Sequence, residues 1–423
     1  MRVVGLDIHR VFAEAVLLDD GEVVRLGRVG MTRDHLETFA RTLTRDDHVV
    51  IEATGNADAV RAVLAPHVGR VVVANPRQVR LIAEARVKTD VIDATVLARL
   101  HASGFLPEVW TPDERTLALR RQVTRRSQIV RQRARLKTIV QSVLHAHLVP
   151  PCPHADLFGP KGRAWLLAQP LPPDEADAVA RHLREHDRLS EDLRVVEREL
   201  ARDALSDADA KRLMTIPGVD MVVAIGLLAA IGPVARFEGP DRLVSYLGLN
   251  PTVHQSGGGR PRHGRISKQG RTHARTMLVE AAWQAVRGPG PLRAFYERVA
   301  RRRGNHIAAV AVARKLAVIV WHLLRRGEDY AWVRPALRAK KLRDLGLRSG
   351  QPARRGRRGT TYAYNLARTR LEERRRAEQA EVAYRRQTEG WTRRGPAAPA
   401  GATKEERPRG RALTRGRVED GAT

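Results

Sequence analysis

Val3-Val4-Gly5-Leu6-Asp7-Ile8 is the stretch on which the fold turns. A short apolar run rich in valine forms a buried strand, yet this one carries an acid near its end. A second run, Val49-Val50-Ile51-Glu52, closes on an acid as well, and Lys88-Thr89-Asp90-Val91-Ile92-Asp93-Ala94 carries two more, three residues apart. In a helix that spacing puts Asp90 and Asp93 on one face. A carboxylate at the buried end of a strand is costly unless something cationic compensates it. Two Mg²⁺ ions about 4 Å apart would compensate it and would also carry out phosphoryl chemistry. A single acid in such a place commonly just ends a strand or caps a helix. Four in this order point to a metal site made of Asp7, Glu52, Asp90 and Asp93.

The surrounding pattern extends this into a domain. Val3–Ile8, Ala13–Leu18 and Glu22–Val29 are three consecutive strands joined by short turns such as Asp19-Asp20-Gly21. Thr32 caps a helix through Leu43, Val49–Glu52 makes a fourth strand, and Arg70–Ala74 makes a fifth after a helix over Ala57–Leu64. Helical segments over Arg77–Ala85 and Asp90–Ser103 follow. The order βββαβαβα resembles that of RNase H/RuvC-like folds, so residues 1–105 are expected to form such an α/β catalytic domain. Both carboxylate-bearing strand ends would then meet the last helix on one side of the sheet.

The bulk composition names a partner but no chemistry. Lys and Arg number 76 against 47 Asp and Glu, giving a formal net charge of +29 and a pI near 11.4. Such an excess repels itself unless a polyanion is near, so nucleic acid is the expected partner. A purely architectural protein would show the same excess. The single Cys152 excludes an internal disulfide and a cysteine-based zinc cluster. No run of about 18 apolar residues and no signal-peptide pattern is present, so a cytoplasmic protein with no membrane partner is expected.

Residues 106–210 are expected to be helical. A long basic stretch carries Arg120, Arg121, Arg125, Arg126, Arg131 and Arg133, candidates for nucleic-acid contact, beside an apolar stripe through Ile129, Leu136, Val140 and Leu144. Seven prolines between Pro150 and Pro173 interrupt it before a second long helical pattern. Two long helices joined by such a break suggest an antiparallel hairpin or a coiled-coil dimer arm, with a plain spacer equally open.

Residues 211–330 make a second, mostly helical globular unit. Its Ile216-Pro217-Gly218-Val219 turn resembles a helix-hairpin-helix turn, whose free N–H groups bind a DNA phosphate, so Gly218 is a candidate contact. Further on, His254-Gln255-Ser256-Gly257-Gly258-Gly259 and Gly264-Arg265-Ile266-Ser267-Lys268-Gln269-Gly270-Arg271 precede another helix. A serine in a glycine loop is sterically open to a phosphodiester. Arg260, Arg265, Lys268 and Arg271 could neutralise that phosphate and the extra charge of its transition state. Residues 331–423 are dominated by Arg, with weak apolar periodicity. They are expected to form a mostly disordered basic tail with one helix over Leu366–Gln387.

With both blocks in view, the chain resembles the DEDD-type bacterial insertion-sequence transposases, which join a RuvC-like N-terminal domain to a serine-bearing C-terminal domain. The acids match as Asp7, Glu52, Asp90 and Asp93. The second block matches through Ile216-Pro217-Gly218, Tyr246-Leu247-Gly248-Leu249, Ser256-Gly257, Gly264 to Gly270, and Ala311–Leu316 to Trp321. The Arg-rich extension past residue 335 departs from the usual shorter pattern. The resemblance implies transposition by DNA recombination, with Mg²⁺ on the acids and Ser256 attacking a DNA phosphate (Ser267 being the alternative). It further implies guidance by a noncoding RNA from the element, and a homo-oligomer, dimer or tetramer, whose protomers share active sites. Two other functions fit some of the same residues. A metal-dependent structure-specific nuclease, such as a Holliday-junction resolvase, would use the acids with water as nucleophile and has no need of a serine. A non-catalytic nucleic-acid-binding protein would need neither.

Overall fold

The computed structural model describes residues 1–83, 89–256, 261–353 and 363–389. The chain divides into two compact units, Met1–Thr124 and Arg125–Thr423.

The first unit is a five-stranded sheet with helices on both faces. Strands β1 (Arg2–Ile8), β2 (Phe12–Asp19) and β3 (Glu22–Gly30) lead into α1 (Arg33–Ala40), β4 (Asp47–Glu52), α2 (Ala57–Leu64), β5 (Arg70–Ala74), α3 (Pro76–Ile82) and α4 (Asp90–Ala102). The strand order is β3-β2-β1-β4-β5. β1 and β2, and β2 and β3, run antiparallel, while β4 is parallel to both β1 and β5. The βββαβαβα succession expected from the sequence is thus present as a mixed α/β sheet, consistent with a DEDD nuclease-like domain.

Alternation along β1 explains the layering. Val4, Leu6 and Ile8 face a core shared with Leu36 of α1 and Val60 and Leu64 of α2. Val3 faces the opposite core, formed with Val50, Val72, Leu97 and Ala98. Gly5 lies on that second face because α4 crosses β1 there. A Cβ at Gly5 would overlap the Ala94 carbonyl oxygen, so only glycine admits the helix so close.

The second unit is mostly helical. Helix α5 (Glu114–Ala146) runs into it from the first unit and is followed by α6 (Pro160–Leu167) and α7 (Pro173–Ser206). Ile129 and Leu136 of α5 pack with Leu193 and Leu189 of α7, and Val140 and Leu144 with Leu183 and Val179, so the two long helices lie antiparallel. Helix α6 sits inside the proline-rich break and supplies Leu166 to the same core.

Next come α8 (Ala208–Leu213), α9 (Met221–Ile231), α10 (Pro240–Tyr246), the hairpin β6 (Pro251–His254) and β7 (Arg262–Ile266), α11 (Thr272–Ala285), α12 (Pro291–Arg303) and α13 (Asn305–Arg326). Helix α13 is long and apolar enough to cross a membrane by length and composition. Its Val312, Leu316 and Val320 are buried, and it packs on α10, α11 and α12 as a core helix.

The disordered tail expected from residue 331 needs correction where it is described. Helix α14 (Pro335–Ser349) was not expected, and α15 (Ala367–Thr388) coincides with the one helix that was. Both are fastened by buried polar groups. The Lys341 ammonium donates to the carbonyls of Met214, Ile216 and Val219, each at 2.8 Å. The buried Glu373 accepts from Ala336 N, and the buried Glu381 accepts from Gly290 N (2.9 Å) and Arg293 Nε (3.0 Å). Anchoring by charge in place of an apolar stripe is what made this region look unstructured in sequence. Residues 390–423 of the expected tail lie outside the described residues.

Candidate active site

The four acids stand at one end of the sheet. Asp7 lies near the end of β1 and Glu52 closes β4; the last paired residues of these parallel strands are Leu6 and Ile51, one position before each acid. Asp90 and Asp93 occupy the first turn of α4, where Thr89 caps the helix by accepting from Ile92 N. Acids suit a helix start, where the dipole is positive. All four are partly buried. The close approach at Gly5 brings this turn to Asp7.

The electrostatics record the convergence. Burial raises the Asp7 carboxyl above its ordinary value; the charges of Asp93 and Asp90 add to the rise and His9 opposes it. His9 Nε2 is 3.1 Å from Asp7 Oδ2 and 3.3 Å from Asp90 Oδ1. One donor atom from each of Asp7, His9 and Asp90 falls within 4.8 Å of the others. Crowded carboxylates beside an imidazole are a donor set suited to a divalent cation.

Two residues here escaped the sequence reading. One is His9, two residues after Asp7 in the turn that follows β1, where no strand face marks it. The other is Glu14 on β2, which pairs in register with Asp7 and is 1% exposed. Arg25 and Arg28 bind its carboxylate, and the Arg25 hydrogen bond leads the effects that hold it below the usual range. Glu14 is therefore neutralised by protein cations, whereas Asp7 sits among further acids.

The serines occupy different settings. Ser256 is exposed, two residues past β6 in the segment that leads to β7. Ser267 lies at the base, half-buried: its N–H donates to Asn250 O (2.7 Å) and its hydroxyl accepts from Gln269 N (3.4 Å). Lys268 takes a left-handed φ of 55° and donates through its N–H to Gly248 O, while Arg271 N–H donates to Tyr246 O. The Arg271 guanidinium reaches the Tyr246 hydroxyl at 2.9 Å, and the buried Arg275 donates to Leu247 O. Segment 267–271 is thus fastened along 246–250. Arg265, Lys268 and Arg271 are exposed beside it, while Arg260 lies outside the described residues.

The basic face of α5 is not uniform. Arg125 and Arg131 are exposed. Arg126 is bound to Glu197 of α7 at 2.7–2.9 Å, with both side chains about one-fifth exposed. Arg133 is half-buried beside His186 at 3.5 Å, Arg121 pairs with Glu114, and Arg120 lies over the Trp110 ring. Arg126 and Arg133 thus hold helices together rather than standing open to solvent. Burial, with the charges of Arg126 and Arg131, holds His273 at the start of α11 below its usual value.

The Ile216-Pro217-Gly218 turn is a packing joint. Gly218 has φ 83°, and a Cβ there would overlap the Ala281 carbonyl of α11. Asp220 caps α9 by accepting from Val223 N, so a carboxylate stands at the helix start where the sequence suggested a phosphate, and Lys341 takes the turn's carbonyls.

Comparison with known proteins adds the family. A DEDD-type IS110 profile described as "Transposase" matches residues 4–148, and one described as "Transposase IS116/IS110/IS902 family" matches residues 210–297. The chain is 31% identical over 272 residues to the putative transposase y4qE of Sinorhizobium fredii, covering 58% of this chain and 66% of that one. It is 34% identical over 138 residues to the transposase for insertion sequence element IS1111A of Coxiella burnetii, covering 32% and 38%. It is 26% identical over 297 residues to the pilin gene-inverting protein of Moraxella bovis, covering 67% and 81%. The chain thus spans less than two thirds of the length of the first two relatives. Two profiles in the expected order, one over the acids and one over the serine hairpin, make the chain a member of the IS110/IS116 family of insertion-sequence transposases.

Proposed function

We propose that the chain is a DNA transposase that moves an insertion sequence by recombination, guided by a noncoding RNA from the element. The observation that carries this is the meeting of Asp7, His9 and Asp90 at the sheet end where Glu52 also closes its strand. Asp7, Glu52, Asp90 and Asp93 hold the divalent cations, two Mg²⁺ ions in the simplest form. Bound there, the ions would stabilise charge on a phosphodiester and lower the barrier to its attack.

Ser256 is the nucleophile. Its Oγ bonds to phosphorus as the bond to one sugar oxygen breaks; the serine proton is delivered to that oxygen, and the DNA remains linked to the enzyme as a phosphoserine ester. Arg265, Lys268 and Arg271 neutralise the phosphate, and Ser267 positions segment 267–271 beneath it. Arg125 and Arg131 bind backbone phosphates without reading sequence. The protein works as a homo-oligomer, one protomer giving the acids and another the serine, with the α5–α7 arm as the dimerisation element, in the cytoplasm on nucleoid DNA.

The test is direct. Full-length protein is incubated with DNA carrying the element's ends and its flanking transcript, then denatured. A protein–DNA adduct is expected, and its loss without the transcript supports guidance. Cleavage without any adduct would make water the nucleophile and the enzyme a structure-specific nuclease. Site-specific inversion is a second reading, favoured by the likeness to pilin gene-inverting proteins. It forms the same adduct and differs in leaving an inverted segment as product.

A further inference from the structure

We propose that His9 is a direct ligand of the divalent ion held by Asp7 and Asp90, and that its nitrogen makes the site prefer Mn²⁺ to Mg²⁺. This rests on the metal-site reading above.

The imidazole stands on a built platform. His9 N–H donates to Phe12 O at 2.9 Å, closing the turn between β1 and β2, and its ring packs on Phe12 with centroids 4.9 Å apart. Phe12 in turn lies under the Arg28 guanidinium at 4.3 Å, and Arg28 Nε reaches the buried Glu14 at 3.4 Å. The chain from Glu14 through Arg28 and Phe12 fixes the ring from one side. Its Nε2 is the atom turned to the acids.

The separations fit a shared coordination shell. Donors at right angles around an ion, each about 2.1 Å away, lie about 3 Å apart. Nε2 stands 3.1 Å and 3.3 Å from one oxygen of each carboxylate. A hydrogen bond alone satisfies this poorly, because one Nε2–H would be divided between two anions. An ion would serve all three donors, and would offset the repulsion among Asp7, Asp90 and Asp93.

The nitrogen decides which ion. Mg²⁺ prefers oxygen ligands and keeps much of its water, while imidazole raises affinity along the series that begins with Mn²⁺. An all-carboxylate site gives a weaker bias of this kind.

The experiment uses the full chain without nucleic acid. Mn²⁺ and Mg²⁺ affinities are measured by calorimetry, and the Mn²⁺-loaded protein is studied by electron spin-echo spectroscopy, which detects a coordinated ¹⁴N. The expected result is tighter Mn²⁺ binding and a nitrogen modulation in the wild type, both lost in His9→Ala. Removing a ligand should weaken Mn²⁺ at least as much as removing an outer-shell partner, on the order of tenfold. His9→Gln, which retains bulk, must also lose the nitrogen signal, so a folding defect in the alanine variant cannot decide the matter. Bound Mn²⁺ without a nitrogen modulation, or a modulation that persists in both variants, overturns the assignment while leaving the acid site intact. If neither ion binds the wild type, the metal-site reading falls with it.

Discussion

The acid cluster and the serine hairpin are built in opposite ways. The acids hang on buried strands and a helix pressed against them, with Gly5 giving up its side chain for that approach. Ser256 lies between the strands of a two-stranded ribbon whose residues are nearly all exposed and whose base is fastened along segment 246–250. Like charges at close range push their supports apart, so they need a stiff frame. A nucleophile that must meet a long polymer needs reach more than rigidity. In the proposed mechanism, ion binding falls to the rigid element and attack to the accessible one.

The largest effect should come from removing the reacting groups, and the two regions should then differ in stability. Ser256→Ala is expected to abolish all adduct with an unchanged melting temperature, since an exposed hydroxyl contributes little to the fold. Asp7→Asn should also abolish it, yet melt higher than the wild type in the absence of divalent ions. The sign follows from the raised Asp7 value. As pH rises from the ordinary carboxylate value near 3.8, the unfolded chain loses this proton before the folded one does, so stability falls across that window and stays lower at neutral pH. The advantage of Asp7→Asn should therefore vanish in acid. Ser267→Ala should behave as a framework change, with a modest loss of stability and some adduct retained; a variant without any adduct would make Ser267 the nucleophile.

Gly5→Ala tests the rigid frame itself. The methyl would meet the Ala94 carbonyl, so α4 must retreat from β1, at a cost of about 3 kcal/mol. Chemical denaturation monitored on residues 1–124 would show it. A neutral result would mean that α4 is not held where the acids require it.

This contrast also explains what the sequence disclosed. Strands β1, β2, β4 and β5 and the acid pattern were legible because each is a local apolar run on which an acid has no ordinary reason to be, while the mostly exposed β3 was marked by the Asp19-Asp20-Gly21 turn before it. Glu14 was not: it became notable only when the antiparallel register set it opposite Asp7 with Arg25 and Arg28 around it. His9 is exposed, and a histidine in a turn carries no signal until the two carboxylates are seen beside it. Helix α14 failed for a different reason. Its anchor is Lys341, and a half-buried lysine bonded to carbonyls looks in sequence like any surface lysine.

Lys341 gives the next effect in size. Lys341→Met leaves three carbonyls of the 214–219 turn without their donor, and a loss of about 3 kcal/mol is expected. Burial lowers this amine from 10.5 to about 8. Between those values the unfolded chain binds a proton that the folded one lacks, so the wild type should gain stability relative to Lys341→Met as pH rises from 8 to 10.5. No gain over that range, with a decrease setting in only above 10.5, would show that the carbonyls hold the ammonium more firmly than burial opposes it.

The smallest effects separate the two kinds of arginine on α5, and they ask whether exposed cations there do the same work as those beside the hairpin. Arg126→Gln breaks the pair with Glu197 across the helices and should cost about 1 kcal/mol of stability, a value kept low because solvent still reaches both groups. Exchanging the exposed Arg125 and Arg131 for Gln should leave the melting temperature alone. If these two meet phosphates, affinity should fall alike for every DNA and RNA sequence, and the dependence on salt should flatten by up to about one charge unit for each phosphate no longer neutralised. Melting curves and binding titrations at several salt concentrations read both outcomes from the same protein preparations. An unchanged slope for the exposed pair would leave the basic helix as a solvated face, and would place nucleic-acid binding at Arg265, Lys268 and Arg271 beside the serine.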